Sequence, residues 1–143
     1  SDAKVFIFKD EPDVFTFSVY CGKNFPVRKQ QSDLDVSLEE GIEDEEYLSK
    51  VQGHLPWLLE TSLDLVFYDS GVDPHWEDEL GRLHVTDKGL YQRALYAFQT
   101  VIKRGIPVAT VIGGGYSRDI DRLARRHSII HRAASKVWRE RGV

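Results

Sequence analysis

The 143-residue sequence predicts an α/β domain with a mainly parallel sheet, and three observations carry that prediction. Short runs of β-branched and aromatic residues recur along the chain, segments of helical period separate them, and breakers cluster where the runs end. Strands joined through helices of such length need right-handed crossovers, which pair neighbouring strands in parallel.

The elements follow in order. VFTFSVY, residues 14–20, comes after the turn-like KDEPD and reads as a buried strand. CGKNFPVRKQQ, 21–31, has Gly22 and Pro26 as breakers and reads as an ordered loop, while DLDVSL, 33–38, alternates like a short edge strand. From Asp44 the apolar residues Tyr47, Leu48, Val51, Leu55, Leu58 and Leu59 recur at three and four, behind acids that suit a helix N-terminus. LDLVFYD, 63–69, predicts a second buried strand. Leu90, Ala94, Leu95, Ala97, Phe98, Val101 and Ile102 mark a second helix ended by Gly105. PVATVIG, 107–113, is a third strand. From Asp119 to about Glu140 runs a basic amphipathic helix, with Leu123, Ile130, Ala134 and Val137 on one face. Its Arg122, Arg125, Arg126, Arg132 and Lys136 lie mostly off that face and read as a solvated surface.

The bulk numbers bound the function. A hydrophobic content of 41% builds the core of one domain, and no internal repeat or low-complexity tract divides it. A net charge of −4 argues against a nucleic-acid partner, which needs a concentrated basic excess. No apolar stretch approaches the ~20 residues of a membrane span, and residues 1–10 lack a signal-peptide pattern. A lone cysteine, Cys21, excludes an internal disulfide and suits a reducing compartment, so an intracellular, cytoplasmic protein is expected. Methionine is absent, so the chain reads as an excerpt or a processed part of something longer.

Ligands of open α/β sheets sit beyond the carboxyl ends of the strands, which here are followed by KNFP, GVDPHWEDELG and GGGYSRD. IGGGYSRDI invites a dinucleotide-binding reading, but the place of the third glycine holds Arg118. Its bland reading is a turn that needs positive φ, although three glycines in a row suggest close approach to another group. Tyr116 can donate to a developing oxyanion or simply pack. Asp73 can ligate a divalent metal or cap a turn. His75 tempts as its companion, yet a catalytic zinc takes three protein ligands, and the pattern forces none of His54, His84, His127 or His131 into the same loop mouth. Phe25 lines a channel or plugs the edge of the core.

VFTFS with KNFP, then SDLDV, LVFYDSGVDPHWEDELGRL and IPVATVIGGGYSRDI, in this order from about residue 4 to residue 135, resemble the C-terminal half of the zinc-dependent histone deacetylase family, and its class IV-like and bacterial members most. The resemblance implies an arginase-like three-layer α/β sandwich around a mainly parallel sheet, incomplete on its N-terminal side, with residues 1–143 as the C-terminal part of a single domain. It implies Asp73 as a zinc ligand and Tyr116 as the donor that polarises the acetyl carbonyl. Phe25 and Gly114 would contact the stem of the acylated amine, and His75 would be a rim residue without a ligand role. Ser18 and Val19 are candidates for a monovalent-cation site that some members carry beside the matching strand. The family's other two zinc ligands, in a D-x-H-x-G-x-G-T motif, and its His-His general base and acid have no counterpart here. A smaller departure is Arg93-Ala94, where Arg-Asp is common.

The function so implied is removal of acetyl groups from acetylated lysine or a small acetylated amine, with this chain inactive alone. The alternative is a non-catalytic remnant serving as a binding or assembly module, which predicts self-association through an exposed sheet edge.

Overall fold

Parallel pairing is what the strand and helix alternation demands, and a computed structural model describing residues 2–24 and 30–142 contains it in two pieces. The order of elements is α1 (Asp2–Phe8), β1 (Phe17–Cys21), β2 (Leu34–Leu38), α2 (Asp44–Leu58), β3 (Val66–Ser70), α3 (Asp87–Lys103), β4 (Val108–Ile112) and α4 (Ile120–Arg141). β1 pairs β2 from Phe17 opposite Leu34 to Cys21 opposite Leu38. β3 pairs β4 from Val66 opposite Val108 to Ser70 opposite Ile112. Among the described residues no ladder joins the two pairs into the one sheet expected.

The helices form where the apolar periodicity places them, and their ends are fixed by side chains. Thr86 caps α3 by accepting the Gly89 N–H at 3.2 Å, and its own N–H donates to Asp44 Oδ1 at 2.7 Å, which ties the start of α3 to the start of α2. Asp119 caps α4 by accepting the Arg122 N–H at 3.0 Å. Gly105, at φ 74°, follows α3 in the left-handed conformation that glycine adopts without steric cost.

Packing is layered on α3. Tyr47 and Val51 of α2 meet Leu90 and Val85 in one cluster, and Leu55, Leu58 and Leu59 meet Ala97 and Val101 in a second. Ala94 and Ala133, both essentially buried, bring α3 and α4 into close contact around Phe98, Ile130 and Val137. Val66, Tyr68 and Val108 turn inward onto these helices.

The sequence reading needs four corrections here. α1 was not anticipated; its seven residues are too short to display a helical period. The strands at 14–20 and 63–69 are shorter than read, starting at Phe17 and Val66, because pairing with β2 and β4 decides where the ladder begins. Neither is buried on both faces: β1 is half-buried from Phe17 to Tyr20, and Phe67 of β3 is 71% exposed, as is Ile112 of its partner β4 at 64%, since the described residues cover only one side of the β3–β4 pair. Arg126, placed on a solvated surface by the reading, is buried and ion-paired with Glu77.

Candidate active-site loops

Two loops leave the same end of the β3–β4 pair, because the parallel register sets Ser70 opposite Ile112. The residues that follow, Gly71–Asp73 and Gly113–Gly115, therefore continue side by side. The Val72 N–H donates to the Gly114 carbonyl at 2.6 Å. A Cβ placed on Gly113 would stand 2.7 Å from the Gly71 nitrogen, and one on Gly114 would stand 3.0 Å from Asp73 Oδ1. Positive φ among the described glycines is confined to Gly41, Gly105 and Gly142. The triple glycine thus serves close approach rather than a left-handed turn.

Asp73 sits at the centre of this contact, with its carboxylate against the backbone of Gly114 and Gly71. Burial pushes its carboxyl above the usual range, and the Asp78 charge pushes the same way, while Arg93 opposes both. Arg93 is buried and donates to the Gly71 carbonyl at 2.8 Å and to the Tyr47 hydroxyl at 3.1 Å, with its guanidinium 5.8 Å from the Tyr68 ring centroid. It braces the backbone two residues ahead of Asp73.

Asp78 latches the two loops together. One carboxylate oxygen accepts the N–H groups of Leu80 at 3.0 Å and Gly81 at 2.7 Å; the other accepts the Tyr116 N–H at 2.7 Å. The Glu79 N–H returns a bond to the Tyr116 carbonyl at 3.0 Å, so both backbone groups of Tyr116 are fixed. Its side chain, about half exposed, projects from a clamped main chain. Further along, Glu77 takes Arg122 at 3.0 Å and also pairs with Arg126, which anchors the loop to α4.

His75 is buried, which overturns its reading as a rim residue. Its Nδ1 accepts the Glu77 N–H at 3.1 Å, so Nε2 carries the proton and donates to Asp87 Oδ1 at 3.1 Å. Both ring nitrogens are satisfied inside the protein, which suits a structural histidine. His127, by contrast, lies beneath the glycine turn: a Cβ on Gly115 would be 3.0 Å from its Nε2, and its buried Nδ1 has no hydrogen-bond partner.

The candidates from the sequence thus fall into three groups. Asp73, Gly114 and Tyr116 come together across the two loops. Ser18 and Val19 lie on the other strand pair, where the Ser18 hydroxyl is 2.8 Å from that of Ser32. Phe25 lies outside the described residues. Asp78 and Arg93 were missed as positioning groups. Asp78 with Gly81 three residues on carried a readable signal, the Asp at the first and Gly at the fourth place of a type I turn; the reach of Arg93 to residue 71 carried none.

A half-buried carboxylate in a Cβ-free cradle is a sound oxygen donor for a divalent metal. Among the described residues, however, no set of three His, Cys, Asp or Glu side chains converges, so Asp73 does not complete a zinc site with them.

Comparison with known proteins adds the wider frame. A family model described as histone deacetylase domain matches residues 2–131. An uncharacterised protein of Picosynechococcus sp. strain PCC 7002 is 51% identical over 138 residues, covering 96% of this chain and 46% of that protein. Among solved structures, acetylpolyamine aminohydrolase from Burkholderia pseudomallei superposes with a TM-score of 0.69 at 18% identity, over 90% of this chain and 40% of that one. The HDA15 HD domain superposes with a TM-score of 0.65 at 23% identity, over 93% and 40%. These superpositions establish the arginase-like and deacetylase-like α/β fold. The chain spans less than half the length of each of these three proteins.

Proposed function

Because this chain belongs to the histone deacetylase domain family, we propose that it is the C-terminal part of a zinc-dependent amide hydrolase that removes acetyl groups from lysine or a similar amine. The supporting observation is the convergence of Asp73, Gly114 and Tyr116 at one end of the β3–β4 pair.

In this reading Asp73 is one zinc ligand, and the remaining ligands and the general base come from the rest of a longer domain. Zinc so bound supplies a Lewis acid to amide hydrolysis. Tyr116 donates its O–H to the acetyl oxygen as negative charge develops there, and the latch of Asp78 holds its main chain still while it does so. Gly114 offers backbone without a side chain to the stem of the acylated amine, and Phe25 of the KNFP loop offers its ring to the same stem. Ser18 and Val19 remain the candidates for a monovalent-cation site. The single, buried cysteine Cys21 favours a cytoplasmic setting, and no helix among the described residues is long and apolar enough to cross a membrane.

The test is acetate release from an acetyl-lysine peptide and from an N-acetylated polyamine by a zinc-supplemented protein that contains this chain within a complete domain. Tyr116→Phe should lower kcat by ~10²–10³-fold, the usual cost of losing an oxyanion donor. Unchanged turnover in that variant would overturn the assignment. The 143 residues by themselves should show no turnover, and zinc retained by them only through Asp73 would need ligands this reading does not supply.

The second reading, a non-catalytic binding or assembly module, draws on the uncovered face of the β3–β4 pair, where Phe67 and Ile112 are exposed. It predicts concentration-dependent self-association, read by sedimentation velocity; a monomer at all concentrations sinks it.

A further inference from the structure

A groove of about 1190 Å³ lies between the first turns of α3 and the length of α4 from Ser128 to Arg139. Ala94, Phe98, Ile130, Ala133 and Val137 form the buried cluster that joins the two helices. The chain as a whole carries a net charge of −4, yet the groove is lined by Lys88, Arg132 and Arg139 with His131 beside them. Among the described residues no ion pair engages Lys88 or Arg132, and the Arg139 guanidinium reaches only the Ser135 carbonyl, at 3.3 Å. The neighbouring Lys136 is already matched by Glu140 at 2.6 Å. Asp87, the acid in the lining, accepts the N–H of the neutral His75 at Nε2, 3.1 Å away, and keeps its charge, so three cations face one carboxylate across the groove. Trp138 stands over the groove 65% exposed, a large apolar surface with nothing upon it among the described residues.

We propose that the α3–α4 groove docks an acidic peptide segment of a partner protein, with carboxylates on Arg132, Arg139 and Lys88 and an apolar side chain against Trp138. Charge complementarity selects the acid. Length selects a peptide over a lone anion: the lining of α4 from Ser128 to Arg139 runs about 16 Å at the helical rise, which accommodates about five extended residues. Exposed tryptophan and arginine together are the side chains that most often anchor such contacts. This inference is independent of the catalytic reading, since none of the side chains proposed to contact the peptide belongs to the two loops.

The experiment is fluorescence polarisation with a labelled short peptide of alternating glutamate and leucine, titrated with the 143-residue chain. Saturable binding that weakens as salt rises is expected, with a loss of about tenfold or more in the double variant Arg132→Glu, Arg139→Glu and a loss in Trp138→Ala. Each of these side chains is exposed, so the thermal unfolding of the variants should match that of the native chain. No binding, undiminished binding by the double variant, or equal binding of the peptide with lysine in place of glutamate would overturn the proposal. Full displacement by inorganic phosphate would overturn it in favour of a small-anion site, and tighter capture of a single-stranded oligonucleotide in favour of a nucleic-acid surface.

Discussion

The carboxylate of Asp78 holds the backbone N–H of Tyr116 at 2.7 Å, across 38 residues of sequence and between two loops that belong to different strands. The same carboxylate closes its own turn through Leu80 and Gly81. One buried group therefore sets both the shape of the GVDPHWEDELG loop and the position of the tyrosine opposite it.

Asp78→Ala leaves three N–H groups without their acceptor and should destabilise the chain by about 3 kcal/mol, given the usual worth of hydrogen bonds to charged groups. Asp78→Asn keeps one acceptor oxygen and should cost less. Urea denaturation of the two variants measures the difference; equal midpoints for native and alanine forms would show that the latch carries no stability.

Gly113→Ala forces a methyl group to within 2.7 Å of the Gly71 nitrogen, with Asp69 Oδ1 also in its way, and should cost about 2–4 kcal/mol. Gly53→Ala makes the opposite prediction, because Gly53 lies inside α2 with nothing within 4 Å of its added Cβ, and should gain about 0.5–1 kcal/mol. Thermal melts of the pair separate a packing glycine from an idle one.

Arg93→Ala strips the Gly71 carbonyl and the Tyr47 hydroxyl of their donor and opens space beneath the Tyr68 ring. A loss of about 3 kcal/mol is expected. Arg93→Lys keeps a charge but not the fork that spans both acceptors, so its melting temperature should fall between the other two.

Asp33 accepts both the N–H and the hydroxyl of Thr16, at 2.6 and 2.7 Å, and these bonds hold its carboxyl below the usual carboxylate range. A carboxyl depressed in the folded state binds its proton more readily when unfolded, so its contribution is complete above the unfolded value of ~3.9 and is lost as pH falls below it. The native chain should therefore lose stability more steeply below that pH than Asp33→Asn does. Parallel pH profiles of the two melting temperatures would remove Asp33 from the account.

Much of this was legible in the residues themselves. The helical period from Tyr47 to Leu59 and from Leu90 to Ile102 specified α2 and α3, since burying an apolar stripe of that period leaves a chain few alternatives. The helix between β3 and β4 fixed their parallel pairing, since a crossover brings the chain back in the same direction, whereas β1 and β2 pair in parallel with no helix between them among the described residues. The motifs around Asp73 and Tyr116 pointed to the two loops that meet, because loops after parallel strands gather at one end of a sheet.

Tertiary structure decided what depends on long-range partners. Glycine alone in a sequence does not say whether it serves positive φ or close approach; only the register of Ser70 with Ile112 brings Gly113 against Gly71 and answers it. A histidine two residues past a candidate ligand reads the same whether exposed or buried, and the contacts of His75 with Glu77 and Asp87 put it inside. Asp78, Arg93 and Arg126 look like ordinary charges until a partner 22 to 49 residues away desolvates them. The sequence determined the elements and their order because those follow from local periodicity and chain handedness; the structure determined which charges are buried, because burial is a property of neighbours.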